Sequence, residues 1–277
     1  MKYSRLENYA EEYSDTFVFE RRDGIIQVQF RPDGGPGSKT GWYEVWSRAW
    51  AEIGRDPENK VMILTSTGDR WLKFPPVDEG AAGNPNLIYE TYYDVVKNTE
   101  NLIFGISIPT IGAINGPAAL HFESALFCDI TLCAEGTLLR DPHCELGVAP
   151  GDGVGMAIQH LVGPKWAAYY LYTSDPIDAE TAFRLGMVNE VLPREKLLPR
   201  AWELAERIAR MPDLSRLMAK QIVRRSAQRL HVEDAGMHIA HQLLGMVIDS
   251  SSGRAVTPAH IDQVNERFEA AIEEYQS

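Results

Sequence analysis

The spacing of hydrophobic and polar positions changes several times along the chain, and each change marks an element. Apolar runs at 17–21 and 25–30 flank Asp23-Gly24, a dipeptide suited to the left-handed positions of a two-residue turn, so they predict an antiparallel hairpin. Trp42, Trp46, Trp50 and Ile53 then recur at helical spacing. The segments 61–65, 109–114 and 129–133 are short apolar runs, the pattern of strands covered on both faces. Helical stretches at 86–105 and 118–127 separate them. Strand and helix alternating at this distance predict an α/β fold with repeated ββα or βα units and an at least partly parallel sheet. From Ala179 the pattern is helical only, over 179–186, 195–211, 213–227 and 232–249, followed by a loop at 250–262 and a last charged helix. The expected organisation is a ββα core at 1–195 and a C-terminal helical lid or oligomerisation region at 196–277.

One segment carries the strongest chemical signal. Residues 141–153 read Asp-Pro-His-Cys-Glu-Leu-Gly-Val-Ala-Pro-Gly-Asp-Gly, with His143 nine residues before Asp152 and turn-forming Pro and Gly on both sides. A helix is predicted to follow at 154–162, closed by Gly163-Pro164. Imidazole titrates near neutrality, so a histidine with a carboxylate partner is suited to general-base work. A plainer reading stands beside it: Asp152 occupies an N-cap position, where a carboxylate accepts from the free N–H groups of the first turn. Cys144 adjoins His143, but neighbours in extended chain point to opposite sides, which argues against a Cys–His pair. His160, His231, His238 and His260 read as structural or surface residues, and Glu145 as solvent-facing or paired with an arginine.

Composition narrows the partners. The 277 residues are 44% hydrophobic, enough for a large core, and carry a formal net charge of -12. That charge argues against nucleic acid and anionic membranes. Three cysteines, Cys128, Cys133 and Cys144, form no CxxC pair, which disfavours a disulfide framework or a zinc site. The polar N-terminus and the lack of a membrane-length apolar run lead to the expectation of a cytoplasmic protein.

Five collinear motifs carry a family resemblance: Val-Met-Ile-Leu-Thr-Ser-Thr-Gly (61–68), Ile-Pro-Thr-Ile-Gly-Ala-Ile-Asn-Gly-Pro-Ala (108–118), Cys-Asp-Ile-Thr-Leu-Cys-Ala-Glu (128–135), Leu-Gly-Val-Ala-Pro-Gly-Asp-Gly (146–153) and Ala-Phe-Arg-Leu-Gly-Met-Val-Asn-Glu-Val (182–191). In these the chain resembles the crotonase (enoyl-CoA hydratase/isomerase) superfamily over about residues 17–250. The resemblance implies a crotonase-like ββα superhelix and assembly through C-terminal helices as a trimer or a dimer of trimers.

The site residues differ from those of a CoA-ester hydratase. Pro75-Pro76 stand in the loop after the 61–65 strand, and proline has no N–H to give to an oxyanion hole. His121 replaces a glycine of the expected run after Asn115-Gly116. One hydratase glutamate falls on His143; the other falls on Glu123 or Ser124, depending on the direction of counting. These departures resemble the β-diketone hydrolase branch, the 6-oxocamphor hydrolase type, which matches His121, His143 and Asp152. That resemblance implies cofactor-independent retro-Claisen cleavage of a cyclic or bicyclic β-diketone to a keto acid, with no metal. His143 and Asp152 would activate water and His121 would stabilise the oxyanion or enolate. Trp42, Phe74, Tyr92, Phe122 and His241 are the expected substrate contacts. Where the branch carries a C-terminal glutamate this chain has His241-Gln242, which leaves the proton donor open. Two other readings remain: a hydratase or isomerase acting on a CoA thioester, and a catalytically silent binding protein of the same fold. His121 and the tyrosines at 89–93 also admit a purely packing role.

Overall fold

The structure is a computed structural model that describes residues 4–31, 42–72, 85–251 and 256–276. After α1 (Leu6–Glu12) come β1 (Phe17–Arg22) and β2 (Ile25–Phe30), joined through Asp23 and Gly24 at φ 54° and 82°, the two left-handed residues the hairpin needs. Next are α2 (Trp42–Arg55), β3 (Val61–Ser66), α3 (Pro85–Glu100) with a π-type turn at Asn101–Gly105, β4 (Thr110–Ile114), α4 (Glu123–Leu126), β5 (Ile130–Ala134) and β6 (Leu138–Leu139). The chain continues through α5 (Val154–Thr173), β7 (Ile177–Asp178), α6 (Ala179–Arg184) and β8 (Glu190–Leu192). It ends in α7 (Arg194–Ala209), α8 (Asp213–Val223), α9 (Arg225–Leu230), a second π-type turn at His231–Ala235, α10 (Gly236–Ser251) and α11 (Pro258–Gln276).

Six strands form one sheet in the order β1-β2-β3-β4-β5-β8, parallel except for the β1–β2 hairpin. Alternate side chains go to opposite faces. Ile26, Val28, Met62 and Leu64 join Trp46, Trp50 and Ile53 of α2 on one face, while Ile25, Val61, Ile63 and Ile111 meet Leu197, Ala201 and Ala205 of α7 on the other. Burial on both faces is why the central strands read as continuous apolar runs. Phe30 packs against Trp46, Trp50 and Trp71 at ring-centroid distances of 4.9, 6.1 and 5.5 Å. Rings of this size each bury on the order of 200 Å², roughly 5 kcal/mol at 25 cal/mol per Å² before entropy is counted.

The extents of three expected helices are corrected. The helix expected at 118–127 shrinks to Glu123–Leu126, because Ala118 forms a bridge to Leu139 and His121 takes φ 50°, outside the helical region. The 154–162 helix does break at Gly163 (φ 76°, ψ 169°), but helix resumes after it and runs to Thr173. The stretch 213–227 divides into α8 and α9. The expected 195/196 boundary falls within the first turn of α7, which covers one face of the sheet. Leu204 and Ile208 pack there too, and Leu217 packs against the main core; Ile222 and Val223 are 77% and 56% exposed. Among the described residues no helix is long and apolar enough to cross a membrane.

Candidate active site

The 140–153 loop is anchored at both ends before it presents any chemistry. Following β6, the buried Arg140 donates from Nε to the Ser174 carbonyl (2.9 Å) and from Nη1 to the Val264 carbonyl (3.2 Å), and pairs with Glu145. At the far end the Gly151 N–H donates to Gln242 Oε1 on α10 at 2.7 Å. A Cβ on Gly151 would lie 2.3 Å from the His238 carbonyl oxygen, so only glycine lets the loop approach α10 this closely. Gly153, at φ 121°, is the N-cap of α5 and has no side chain to cap it with. Asp152 is therefore one residue outside the cap; the Val154 N–H at the start of α5 still acts on its carboxylate, which is buried.

There it meets His143. The imidazole lies between two carboxylates, with Nδ1 2.5 Å from Asp141 Oδ1 and Nε2 3.3 Å from Asp152 Oδ2. Burial opposes charge on this ring, but Asp152 and Asp141 outweigh it and hold the His143 pKa well above the ordinary histidine value. Burial alone would also raise Asp152; His143, His121 and the Val154 N–H reverse that and depress it. The two carboxylates accordingly favour the imidazolium form of His143 over the neutral ring.

His121 approaches the same carboxylate from another element. Its left-handed backbone, costly for a residue with a Cβ, is secured by Trp71, whose indole Nε1 donates to the His121 carbonyl at 3.0 Å. The His121 Nδ1 is 3.0 Å from Glu123 Oε1 and 3.9 Å from Asp152 Oδ2. Its Nε2 is 3.3 Å from the Tyr43 hydroxyl, which in turn donates to Asp152 Oδ2 at 3.4 Å. Burial pushes the His121 pKa down, but Glu123 and Asp152 raise it further than burial lowers it. Burial also lifts Glu123, with Asp152 adding to the rise and His121 opposing it. Five titratable side chains thus converge on the Asp152 carboxylate or its neighbours: two imidazoles, Asp141, Glu123 and the Tyr43 phenol. Such a cluster can store protons, pass them along a chain and present imidazolium N–H groups to a developing oxyanion.

The structure brings His121, His143 and Asp152 together, and treats the expected substrate contacts unequally. Trp42 stacks on Trp46 (5.6 Å, 18°) and sets its ring edge to His121 (6.3 Å, 77°); both indole N–H groups are buried without an acceptor. Tyr92 joins Tyr43, Val95, Ile239 and Leu243 in a cluster linking α3 to α10. Phe122 is buried in the main core cluster. His241 is exposed on α10, its Nδ1 donates to the Met237 carbonyl at 2.8 Å, and it lines an outer groove with Cys144 and Tyr172. One helical step turns the adjacent Gln242 inward instead, with Nε2 3.5 Å from His143 Nε2. Phe74 and the Pro75-Pro76 loop lie outside the described residues. Glu145 pairs with Arg140 and Arg267, as one of its two readings had it. Among the described residues no group of three or more His, Cys, Asp or Glu side chains is arranged to hold a metal ion.

Sequence reasoning missed Asp141 and Tyr43. Asp141 had a signal: two residues before His143 in extended chain, it shares that residue's side, by the same alternation that separates Cys144 from His143. Tyr43 had none, because its partners are 78 and 109 residues away.

Comparison with known proteins accords with this architecture. The family model for enoyl-CoA hydratase/isomerase matches residues 41–270. A β-diketone hydrolase from the cyanobacterium Anabaena, solved with (S)-3-oxocyclohexyl acetic acid bound, superposes with a TM-score of 0.80 at 33% identity, covering 86% of this chain and 96% of that one. The crotonyl-CoA hydratase of Syntrophomonas wolfei is 32% identical over 170 residues, 61% of this chain and 65% of its own, so the match spans just under two thirds of that relative. The carnitinyl-CoA dehydratase of Citrobacter koseri is 28% identical over 240 residues, 82% of this chain and 86% of that protein. With its mostly parallel sheet, its run of helices and a family match over most of its length, the chain belongs to the enoyl-CoA hydratase/isomerase family, the crotonase fold.

Proposed function

We propose that the protein hydrolyses a carbon–carbon bond in a cyclic or bicyclic β-diketone, giving a keto acid. The observation that carries this reading is the Asp141–His143–Asp152 clamp, buried beside His121, in a chain 33% identical to a β-diketone hydrolase over most of its length. Water adds to one carbonyl, and the tetrahedral oxyanion collapses by breaking the bond to the carbon between the two ketones. The electrons enter an enolate conjugated with the second carbonyl, so the substrate supplies its own electron sink. His143 takes the proton of the attacking water at Nε2 while Asp141 holds Nδ1 and fixes the tautomer, the division of labour of a catalytic triad. His121 donates to the oxyanion or enolate oxygen; one preorganised donor of this kind is worth about 2.7–4 kcal/mol in the transition state.

The direction of the His143 shift sets the pH dependence. Only the neutral ring accepts a proton, and the folded-state pKa lies well above the ordinary value of 6.5. The rising limb of kcat/KM should therefore sit on the alkaline side of 6.5. A bicyclic β-diketone assayed without CoA, following loss of diketone absorbance across pH, tests both points. A limb at or below 6.5 would remove His143 as the base. The rival reading draws support from the names of the hydratase relatives and from the buried Glu123. Hydration of crotonyl-CoA with no turnover across a diketone panel would decide in its favour.

We also propose that further copies of the chain cover the apolar row on α8, giving a trimer or a dimer of trimers. Leu214, Met218 and Ile222, at successive four-residue intervals, are 69%, 61% and 77% exposed. Light scattering behind gel filtration should give a trimeric or hexameric mass, reduced by Met218→Lys; a wild-type monomer at micromolar concentration would sink the proposal.

A further inference from the structure

Retro-Claisen cleavage leaves an enolate carbon that needs a proton, and the described residues offer few groups able to deliver one. Gln242 faces the site, but an amide cannot give up and recover a proton near neutrality. His241 is exposed and its ring is engaged by the Met237 carbonyl. Glu123 is committed to His121 Nδ1. Tyr43 remains. Its hydroxyl lies between His121 Nε2 (3.3 Å) and Asp152 Oδ2 (3.4 Å), and its ring is fixed edge-to-face against His121 (5.3 Å, 84°) and Trp46 (6.1 Å, 74°). Both hydrogen bonds are long, as catalytic ones often are before substrate binds.

We infer that Tyr43 is the acid that protonates the enolate carbon, and that Asp152 and His143 restore its proton. The inference rests on the hydrolase reading and completes its proton balance. Water gives one proton to His143 while its oxygen bonds the attacked carbonyl carbon. The carbon–carbon bond then breaks, its electron pair leaving as the enolate. Tyr43 gives its proton to that carbon, and the phenolate recovers one through the Asp152 carboxylate from the His143 imidazolium, which returns to neutral. The new carboxylic acid releases its own proton to solvent. The return of the proton runs between groups already in contact: His143 Nε2 is 3.3 Å from the same Asp152 oxygen that accepts from Tyr43. Burial first, then Asp152 and Glu123, keep the phenol protonated well past neutrality, so Tyr43 begins every turnover as an acid. Asp152 becomes the junction between the base that takes a proton from water and the acid that gives one to carbon.

The test compares wild type and Tyr43→Phe on a bicyclic β-diketone in D₂O. Wild type should place one deuterium on one face of the carbon released by cleavage. In Tyr43→Phe, kcat should fall about 10²- to 10³-fold with KM little changed, and the deuterium should scatter over both faces as solvent protonates the enolate. A purely structural Tyr43 would not alter the labelling. Should Tyr43→Phe lose its fold by circular dichroism, 3-fluorotyrosine at position 43 keeps shape and packing while making the phenol more acidic, and should change the solvent isotope effect on kcat. Retained one-face labelling or a wild-type rate in Tyr43→Phe, an unchanged isotope effect with 3-fluorotyrosine, or two-face labelling by wild type would each overturn the assignment and leave the hydrolase reading standing. A wild-type enzyme that turns over no β-diketone would overturn both.

Discussion

Asp152→Asn is expected to lower kcat on a β-diketone by about 10²- to 10⁴-fold, the range that general acid–base groups contribute, in a protein that still folds. The substitution keeps the shape and removes the charge at the one atom that three partners share: Asp152 Oδ2 is 3.3 Å from His143 Nε2, 3.4 Å from the Tyr43 hydroxyl and 3.9 Å from His121 Nδ1. The amide can turn only one oxygen toward them, and its NH₂ then opposes another donor. The pH profile separates this loss from simple misplacement. Removing one of two carboxylates lowers the His143 pKa, so the surviving activity should rise at lower pH than in wild type. Asp141→Asn should shift the same limb in the same direction, since Asp141 also raises His143. It should cost less in kcat, because Tyr43 and His121 keep Asp152. Equal losses in the two variants, or a limb that does not move, would show that Asp152 is not the junction.

The same groups leave a signature in stability. His143 has a raised folded pKa, so it stabilises the fold fully below its unfolded value, and that contribution is lost as pH rises through the folded value. Asp152 has a depressed folded pKa, so its contribution is present above the ordinary carboxylate range and is lost as pH falls. His121 and Glu123, both raised, act in the direction of His143.

The chain disclosed its local features more readily than its long-range ones. The hairpin was legible because Asp-Gly is among the few dipeptides that fill both left-handed turn positions, and Asp23 and Gly24 occupy them. Strand 61–66 was legible because burial on both faces leaves a continuous apolar run. Strands β6, β7 and β8 have two or three residues each, too few for any period to show. The 118–127 stretch looked helical by composition, yet the turn that carries His121 is fixed by the Ala118–Leu139 bridge and the Trp71 indole, neither of which local sequence displays. Within the site, motif position led to His121, His143 and Asp152. Tyr43 stands one residue past Trp42, on the flank of a helix whose tryptophans dominate its periodicity, and only the meeting of α2 with the 140–153 loop shows what it touches. Gln242 and His241 are adjacent in sequence, and the phase of α10 alone decides that the amide faces the imidazole.

The largest expected loss of stability lies away from the site, at Lys220, and it bears on whether the C-terminal helices are an appendage. Lys220 is a buried residue of α8, with its ammonium 2.8 and 3.0 Å from the two Asp129 oxygens at the base of β5. Asp129 also accepts from the Thr110 N–H (2.7 Å) and hydroxyl (3.1 Å), so the pair ties α8 to the start of both β4 and β5. Attraction between buried charges is largely offset by desolvation, so the intact pair contributes modestly; removing one partner strands the other. Lys220→Met keeps most of the aliphatic stem and leaves the Asp129 carboxylate largely buried without its cation. The expected cost is about 3–5 kcal/mol, a fall in Tm on the order of 10 °C. Adding Asp129→Asn to Lys220→Met should return part of that loss, since the amide carbonyl still accepts from Thr110 and no charge is left uncompensated. Turnover measured well below the melting point should be unchanged in both, because neither residue touches the His121–His143 cluster. If Lys220→Met loses less than about 1 kcal/mol, the value of an exposed ion pair, then α8 is held by its apolar contacts alone and the helical region is the separable unit that its sequence pattern suggests.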